Sequence, residues 1–559
     1  MLNGFLKRFP HTLYTEGMMK QIEAEADMLL EKPSYSLPLS LFLEFERNGR
    51  REKYEQLYME NRRRLLVFLA MALWSEDKKW IQATEDAIWA VCDQYTWETP
   101  GHFSLPVRFE DGRTLIGLFA AETALSLCEA MYLLDDRLSD LVKARIAHEV
   151  RERVVEPFCE KNIEWGADNW SAVCGGSCGM AAMYLGNESE AETAIKKSLS
   201  YMETFLSSYL NDGACLEGPL YWEFGFGFFC MFASMVREYS NGKIDLFDDE
   251  KVKRIARFGE NIYLEDNKVI PFSDSPHEHS FHPWLFGFLA KEYNICVPPM
   301  EYAVKFGDDK RCRIPFFLRD MFTENPSDTG ENVKNGLTVY SESQWYIKRN
   351  RKYLFAAKGG NNGEPHNHND VGSFVLMTDG KYILDDLGWC TYDRDYFLEK
   401  RYDYICASSL GHSVPITDGE GQLSGGDRAA LLLNCNESEF SLDLSGVYEK
   451  AESFIRCYMV KEEALEIKDR FSGEMSSICE RFVTTYKPRV KEGIVYIEGV
   501  KIEAKCDKSI KPKISSASYT PRINIGCEEV QSRPIYFIDY MIKSAEDNFE
   551  IEIIITPPN

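Results

Sequence analysis

The feature that most limits the fold of this chain is a change in the spacing of its apolar residues near residue 336. Between about residues 55 and 320, apolar residues recur every three to four positions, which predicts amphipathic helices joined by short polar or Gly/Pro loops. After residue 336, short apolar runs and alternating segments are typical of β-strands. The sequence therefore predicts an α+β multidomain protein, with helical hairpins first and an antiparallel β region second.

The predicted helices share this spacing and cover residues 64–74, 80–95, 115–134, 138–158, 178–185, 190–210, 224–239 and 251–263. The predicted strands cover residues 337–340, 344–348, 353–357, 374–377, 440–444, 453–460, 464–471, 495–497, 536–542 and 549–555. A largely polar stretch at 320–335, which contains Pro326 and Gly330, is typical of a linker. We therefore expect a helical domain at 1–319, a linker at 320–335 and a β domain at 336–559, since 559 residues exceed the usual size of one hydrophobic core.

Charge and composition exclude some classes of partner. The formal net charge of -25 disfavours nonspecific binding to nucleic acids and to anionic membranes. No apolar run approaches the ~18 residues of a membrane span, and the N-terminal residues lack the apolar stretch of a secretory signal. The 16 cysteines are scattered, as in reduced cytoplasmic proteins, and the closest pair, Cys174 and Cys178, is expected on a buried helix face. The sequence predicts a cytoplasmic protein and leaves room for a homo-oligomer.

Two histidines and a carboxylate are predicted to form a metal site, with a third histidine beside them. Of only nine histidines, His366 and His368 are separated by one residue, so in an extended segment both would face the same side. The turn signal at 379–380 predicts a hairpin that returns Asp386 toward His368. With His412, this N/O ligand set suits zinc or another divalent first-row metal in roughly tetrahedral geometry. His366 would then be free to move protons.

Two alternatives accompany this prediction. Asp385 competes with Asp386, because only one of two adjacent residues can face His368; the turn edge at Asp386 favours the latter. A second group of histidines lies near the end of the helical region: His277, His279 and His282. We expect these at the mouth of a cleft or in a solvated loop, because only Asp274 and Glu278 offer neighbouring carboxylates.

The segment 367–374, Asn-His-Asn-Asp-Val-Gly-Ser-Phe, follows an α-rich region and resembles the heparinase II/III family of polysaccharide lyases. The resemblance extends over most of the chain and is strongest at 364–422. It implies an N-terminal (α/α) toroid of helical hairpins, a C-terminal antiparallel β-sandwich domain and a cleft between them. It also implies β-elimination in uronate-containing glycans, such as glycosaminoglycans, which leaves 4,5-unsaturated uronate products.

The resemblance also implies roles for individual residues. His366 resembles the catalytic histidine, and residues 217–222, Glu-Gly-Pro-Leu-Tyr-Trp, resemble the segment that carries a catalytic tyrosine, here Tyr221. Residues 166–170 resemble the segment that contacts the uronate carboxylate, which assigns this contact to Asn169. The residues that resemble ligands of a structural zinc are His368, Asp386 and His412.

The chemistry of β-elimination explains why these residue types are needed. The C5 proton of a uronate lies beside a carboxylate, so a carbanion at C5 is costly unless hydrogen bonds neutralise that carboxylate. Asn169 can donate such a bond. A base must then take the C5 proton while an acid protonates O4, and tyrosine and histidine can serve both functions. Either Tyr221 and His366 act from opposite faces of the sugar, or elimination is syn and Tyr221 does both.

Aromatic and cationic side chains are predicted to hold the substrate, because aromatic faces pack on pyranose rings and arginine pairs with carboxylates. The predicted substrate-binding residues are Trp97, His102, Trp170, Trp222 and Arg401. We therefore expect an acidic oligosaccharide or polysaccharide as the partner of a polysaccharide lyase. Two alternatives remain: a zinc-dependent glycan hydrolase, in which the metal activates water, and a noncatalytic carbohydrate-binding relative of the lyases.

Overall fold

A computed structural model of the chain describes residues 11–103, 109–323, 335–390, 395–506, 510–521, 532–543 and 549–558. Helices occupy the described residues up to Met321 and antiparallel strands begin at Gly336, so the predicted change near residue 336 is confirmed. Most of the predicted linker, at 324–334, lies outside the described residues. Its first two residues, 320–321, belong instead to the last helix, where both are buried.

The helices in chain order are α1 (Leu13–Leu30), α2 (Leu39–Phe42), α3 (Glu44–Asn48), α4 (Glu52–Trp74), α5 (Lys78–Cys92), α6 (Phe109–Arg113), α7 (Leu118–Leu134), α8 (Asp140–Val150), α9 (Glu156–Glu160), α10 (Asn169–Leu185), α11 (Glu188–Ser207), α12 (Pro219–Tyr221), α13 (Gly227–Tyr239), α14 (Glu250–Ile262), α15 (Pro283–Tyr293) and α16 (Ile314–Met321). Two π-helical segments, Arg151–Val155 and Trp222–Phe226, join α8 to α9 and α12 to α13. Each of the eight predicted helical segments overlaps one of these elements.

Helix α10 lies at the centre of the helical region, where it packs against α7, α11 and α13. Cys174 and Cys178 are fully buried on it, which confirms the predicted helix face. The helix begins at Asn169, nine residues before the predicted start at residue 178. The prediction began too late because the glycines of this helix interrupt the apolar pattern, although they allow close packing. A Cβ atom at Gly179 would lie 2.3 Å from the Ser198 hydroxyl on α11.

The strands are β1 (Gly336–Tyr340), β2 (Trp345–Arg349), β3 (Leu354–Lys358), β4 (Asn361–Asn362), β5 (Phe374–Thr378), β6 (Lys381–Leu384), β7 (Ile416–Thr417), β8 (Gly425–Ala429), β9 (Leu431–Asn436), β10 (Glu439–Asp443), β11 (Ala451–Val460), β12 (Leu465–Gly473), β13 (Ser477–Thr484), β14 (Arg489–Lys491), β15 (Ile494–Ile497), β16 (Val500–Lys505), β17 (Pro512–Tyr519), β18 (Arg533–Lys543) and β19 (Phe549–Thr556). They form antiparallel sheets in the orders β1-β2-β3-β5-β6, β14-β15-β16-β19-β12-β11-β10-β9, β17-β18-β13-β7 and β4-β8.

The five-stranded sheet connects the β region to the helices. Trp345 on β2 is almost fully buried, with its ring centroid 5.2 Å from that of Phe272 and 5.8 Å from that of Phe258. The Arg349 guanidinium donates to the carbonyl of Asn261, and the Tyr382 hydroxyl donates to the carbonyl of Val269. Apolar packing and hydrogen bonds therefore join the two regions.

The hairpin β5–β6 has the predicted turn. Asp379 and Gly380 have φ angles of 48° and 70°, as a two-residue turn between twisted strands requires. The register pairs Thr378 with Lys381. Strand β6 therefore delivers the adjacent residues Asp385 and Asp386 beside the helical region.

Most described cysteines are free thiols, but Cys390 and Cys406 form a disulfide. The prediction that all cysteines are reduced is wrong for this pair, because residues distant in sequence are brought together by the fold. Among the described residues, the helices are all too short or too polar to cross a lipid bilayer.

Candidate active site

A tight turn before α12 positions the predicted tyrosine. Gly218 has a φ angle of 99°, which favours glycine, and a Cβ atom there would lie 3.2 Å from the carbonyl oxygen of Phe272. Pro219 follows as the first helical residue, a position that suits its fixed φ. Tyr221 ends this short helix, immediately before the π-helical segment, and its side chain is half-buried. Such π-helical segments often occur at functional sites.

The predicted histidine pair lies in a loop rather than on a strand. His366 occupies a turn with a φ angle of 56°, and the next strand begins only at Phe374. The expectation that His366 and His368 share one face of an extended segment is therefore wrong; Pro365 and the left-handed residue that follows it redirect the backbone. The two imidazoles nevertheless meet at one carboxylate, that of Asp274.

Asp274 is the centre of the hydrogen-bond network between the two regions. Its fully buried carboxylate lies 2.8 Å from His366 Nδ1, 3.1 Å from His368 Nε2, 2.5 Å from the Tyr396 hydroxyl and 2.9 Å from Arg401 Nη2. Although burial favours the neutral acid, hydrogen bonds from the two histidines and the charge of Arg401 hold the pKa of Asp274 well below its usual range. Asp274 thus holds a predicted catalytic histidine and a predicted metal ligand in fixed orientations.

The phenol of Tyr221 and the imidazole of His366 are in contact. Their ring centroids are 4.3 Å apart and the ring planes differ by 25°, so the rings stack. The tyrosine comes from the helical region and the histidine from the β region. The fold therefore brings together the two residues that were predicted to exchange protons with the substrate.

Glu217 and Asn169 lie beside this pair. The Asn169 amide donates a hydrogen bond of 3.2 Å to Glu217 Oε2, and the same oxygen is 3.6 Å from His366 Nε2. Both side chains are nearly buried. Burial raises the pKa of Glu217 to about 7 against the opposing charge of His366, and Asp168 adds to the rise. Glu217 was not among the predicted site residues, although it stands four residues before Tyr221.

A cavity of about 810 Å³ lies between the two regions at this site. Its lining residues are Ala167, Asp168, Glu217, Pro365, His366, Asn367, Leu398, Arg401, Tyr402 and Ser424. Arg401 reaches the cavity with its guanidinium bonded to Asp274 and to the carbonyl of Asn367. Its charge is thus held in place rather than mobile.

The structure contradicts two of the predicted sugar contacts. Trp97 is 1% exposed and donates its indole N–H to the carbonyl of Val91, and Trp222 is 0% exposed and donates to that of Ile255. Both are core residues whose polar atoms are satisfied within the helical region, so neither can stack on a sugar. His102 and Trp170 contact each other, with ring centroids 4.8 Å apart, and are partly exposed without lining the cavity.

The predicted metal ligands form a buried cluster. One ligand atom from each of His368, Asp386 and His412 lies within 4.8 Å of the others, and all three side chains are 0% exposed. The outer nitrogens are occupied, because His368 Nε2 contacts Asp274 and His412 Nε2 contacts the carbonyl of Cys406. The inner atoms, the two Nδ1 atoms and Asp386 Oδ2, have no hydrogen-bond partner outside the cluster. These buried orphan atoms fit a bound cation, since metal-binding histidines commonly donate their second nitrogen to such partners.

The choice between the adjacent aspartates is clear in the structure. Asp385 points to the helical region, where its carboxylate lies 2.8 Å from His277 Nε2. Asp386 points inward, with Oδ2 3.3 Å from His412 Nδ1. Despite the cost of burial, the nearby histidines lower the pKa of Asp386 to about 2.

The second group of histidines does not converge. Each has its own carboxylate partner, Asp385 for His277, Glu223 for His279 and Asp320 for His282. The last two histidines line a separate cavity of about 300 Å³, and His282 is buried rather than solvated. Among the described residues, only the cluster around Asp386 groups metal-binding side chains closely.

Comparison with solved structures shows that this fold is known. Heparinase III superposes with a TM-score of 0.65 at 14% identity, over 98% of this chain and 92% of that one. A heparan sulfate lyase from Pedobacter heparinus gives 0.63 at 14%, over 96% and 83%. Chondroitin AC lyase from Streptomyces coelicolor A3, in complex with chondroitin sulphate, gives 0.58 at 10%, over 99% and 80%. No protein-family model and no curated protein matches the sequence. The predicted resemblance is therefore confirmed at the level of the fold.

Proposed function

We propose that this protein is a polysaccharide lyase that cleaves uronate-containing glycans by β-elimination. The observation that carries the proposal is the stacked pair Tyr221 and His366, which come from different regions, with His366 lining the cavity between those regions. A fold shared with structures of heparan sulfate and chondroitin lyases supports it. The substrate is an acidic oligosaccharide or polysaccharide, and the products carry a 4,5-unsaturated uronate.

The proposed reaction moves one proton off the sugar and one onto it. The base takes the proton from C5, the electrons of the C5–H bond form the C4=C5 double bond, and the C4–O4 bond breaks. The acid then supplies a proton to O4 of the leaving chain. Tyr221 and His366 are the two side chains that can exchange these protons, and Asp274 orients the imidazole through Nδ1.

The stacked geometry favours attack from one side of the sugar. A pyranose between two rings would require them to be roughly 7 Å apart, twice a carbon contact of about 3.5–4.0 Å. The observed centroid separation is 4.3 Å. Tyr221 and His366 therefore do not flank opposite faces, and we favour the syn alternative, in which Tyr221 exchanges both protons and His366 assists from the same side.

The buried cluster of His368, Asp386 and His412 is proposed to hold a structural zinc ion. A bound zinc would supply a cross-link between the loop at 366–370 and the residues after β6. The alternative of a zinc hydrolase is less well supported, because all three side chains are fully buried and none of them lines the cavity. We also infer that the helical hairpins close into an (α/α) toroid and that the β region forms a sandwich, in line with the similar structures.

Formation of an unsaturated product tests the proposal directly. We would incubate the protein with heparan-, chondroitin-, hyaluronan-, alginate- and pectin-type oligosaccharides and follow ultraviolet absorbance of the conjugated alkene. We expect absorbance to rise with at least one uronate substrate and with no neutral glycan. Hydrolysis without an absorbing product would instead support the hydrolase.

Variants of the stacked pair separate catalysis from binding. Tyr221→Phe and His366→Ala should each lower kcat by about 10²–10⁴-fold, the usual contribution of a general acid or base. Substrate affinity should change little in the tyrosine variant, which keeps the ring. Tyr402→Phe, which alters a tyrosine that lines the cavity beside His366, is the matched control and should retain most activity. A noncatalytic binding protein would show no turnover in any of the three.

A further inference from the structure

We infer that Glu217, in its neutral carboxylic acid form, donates the hydrogen bond that neutralises the substrate carboxylate, and that Asn169 is a positioning residue for it. This inference rests on the proposed lyase function and gives Asn169 a different role from the one predicted from the sequence. It identifies a specificity-determining residue for uronates on the turn that precedes Tyr221.

The positions of the two side chains support this division of roles. Glu217 lines the cavity between the regions, whereas Asn169 does not. The amide of Asn169 donates to Glu217 Oε2 at 3.2 Å, so it is engaged within the protein. Glu217 Oε2 is also 3.6 Å from His366 Nε2. A substrate carboxylate beside Glu217 would therefore place its sugar against His366 and Tyr221.

The surrounding charges favour a neutral Glu217 when an anion binds. Around it lie Asp168 before α10, Cys215 and Tyr209 in the helical region, His366 in the loop and Asp274 beneath that loop. Arg401 lines the same cavity, but its guanidinium is bonded to Asp274. An ionised Glu217 would add a second carboxylate next to Asp168 and repel a uronate. A protonated Glu217 removes this repulsion and supplies a donor.

Burial raises the pKa of Glu217 to about 7, so the protein as it stands can hold this proton near neutral pH. The sign of the pH dependence follows. Below this pKa the acid is present and uronate binding is unimpaired; above it, each further pH unit should reduce binding about tenfold, because a proton must be taken up first. Neutral sugars should show no such dependence.

The test compares Glu217→Gln with the unmodified protein, since glutamine keeps a neutral donor that cannot ionise. We would measure kcat/KM for a cleaved uronate oligosaccharide from pH 6 to pH 8.5. Taking the ratio of the two proteins removes the pH effects that are common to both. The ratio of variant to unmodified protein should rise about tenfold between pH 7 and pH 8.5. Glu217→Ala, which lacks the donor, should lose activity at every pH.

Glu364→Gln is the matched control. Glu364 is a second buried carboxyl in the loop near His366, and burial raises its pKa to about 7 as well. In this variant, kcat/KM should still fall as the pH rises above 7. If this fall disappears in Glu364→Gln and persists in Glu217→Gln, the assignment to Glu217 is overturned.

A binding measurement makes the inference independent of turnover. Calorimetric titration with D-glucuronate at pH 8, in two buffers of different ionisation enthalpy, should show about one proton taken up by the unmodified protein and none by Glu217→Gln. Equal proton uptake by both, or none by either, would overturn the role of Glu217 even if the protein is a lyase. Absence of an unsaturated product from every uronate substrate would instead overturn the proposed function.

Discussion

At the scale of single residues, neighbours in sequence have unrelated partners. Asp385 and Asp386 follow one strand, yet one bonds His277 of the helical region and the other contacts His412 of the buried cluster. His366 and His368 likewise share Asp274 while one lines the cavity and the other is fully buried. The direction of a side chain, rather than its position in the chain, decides its role here.

The two aspartates give a matched test of the proposed metal site. Asp386→Asn should lower zinc affinity by at least about 100-fold, because it removes the only anionic ligand of the cluster. Asp385→Asn should keep the metal, because that carboxylate points away from the cluster. Metal content after dialysis, measured by atomic emission, distinguishes them. Equal zinc in both variants would show that Asp386 is not a ligand.

At the scale of elements, the turn before α12 and the segment that joins α12 to α13 determine the position of Tyr221. Gly218 allows the chain to reverse against Phe272, and the π-helical segment after Tyr221 then carries the chain into the core at Trp222. The loop at Ser273–Ser275 packs against the same turn. A Cβ atom added at Gly218 would lie 3.2 Å from the Cβ atom of Ser275. The orientation of Tyr221 therefore depends on a close backbone approach as well as on its own contacts.

Gly218→Ala tests that dependence. The substitution forces a left-handed residue and a close contact at once, so we expect a loss of about 1–3 kcal/mol in the free energy of unfolding. Displacement of Tyr221 should also lower kcat, by about 10²-fold for a shift near 1 Å. Gly186→Ala is the control, because Gly186 has a φ of 73° with open space around it. It should cost about 1 kcal/mol and leave kcat unchanged. Equal kcat in both variants would contradict the argument.

At the scale of the whole molecule, the candidate active site lies where the two regions meet. Tyr221, Asn169, Glu217 and Asp274 come from the helical region, and His366 and Arg401 come from the β region. Trp345 packs between Phe258 and Phe272 directly beside this junction. A shared apolar core thus fixes the relative positions of the reacting groups, as an extensive interface between regions allows.

Trp345→Ala should loosen this junction. Removing a buried tryptophan is expected to lower the free energy of unfolding by about 3–5 kcal/mol. The contacts that are lost here join the two regions. We expect differential scanning calorimetry to show one unfolding transition for the unmodified protein and two for the variant. Trp97→Ala removes an equally buried tryptophan within the helical region. It should lower stability without splitting the transition, and splitting in both variants would contradict this account.

The sequence alone was sufficient for the order of secondary structure, the hairpin turn at Asp379 and Gly380, and the membership of the buried cluster. The first two features are local, because apolar periodicity records which face of a segment is buried and turn residues report their own backbone angles. The cluster could be predicted because its residues can all bind a metal and two of them are histidines, of which the chain has only nine.

The tertiary structure decided the remaining features, among them the role of Asp274, the pairing of Glu217 with Asn169, and the burial of Trp97 and Trp222. Asp274 stands beside the histidines at 277–282 in sequence but bonds His366 and His368 in space. Burial and partner choice between distant residues depend on how two regions pack, and local spacing carries no record of that packing. The sequence therefore supplied the reactive groups, and the packing of the two regions brought them to one site.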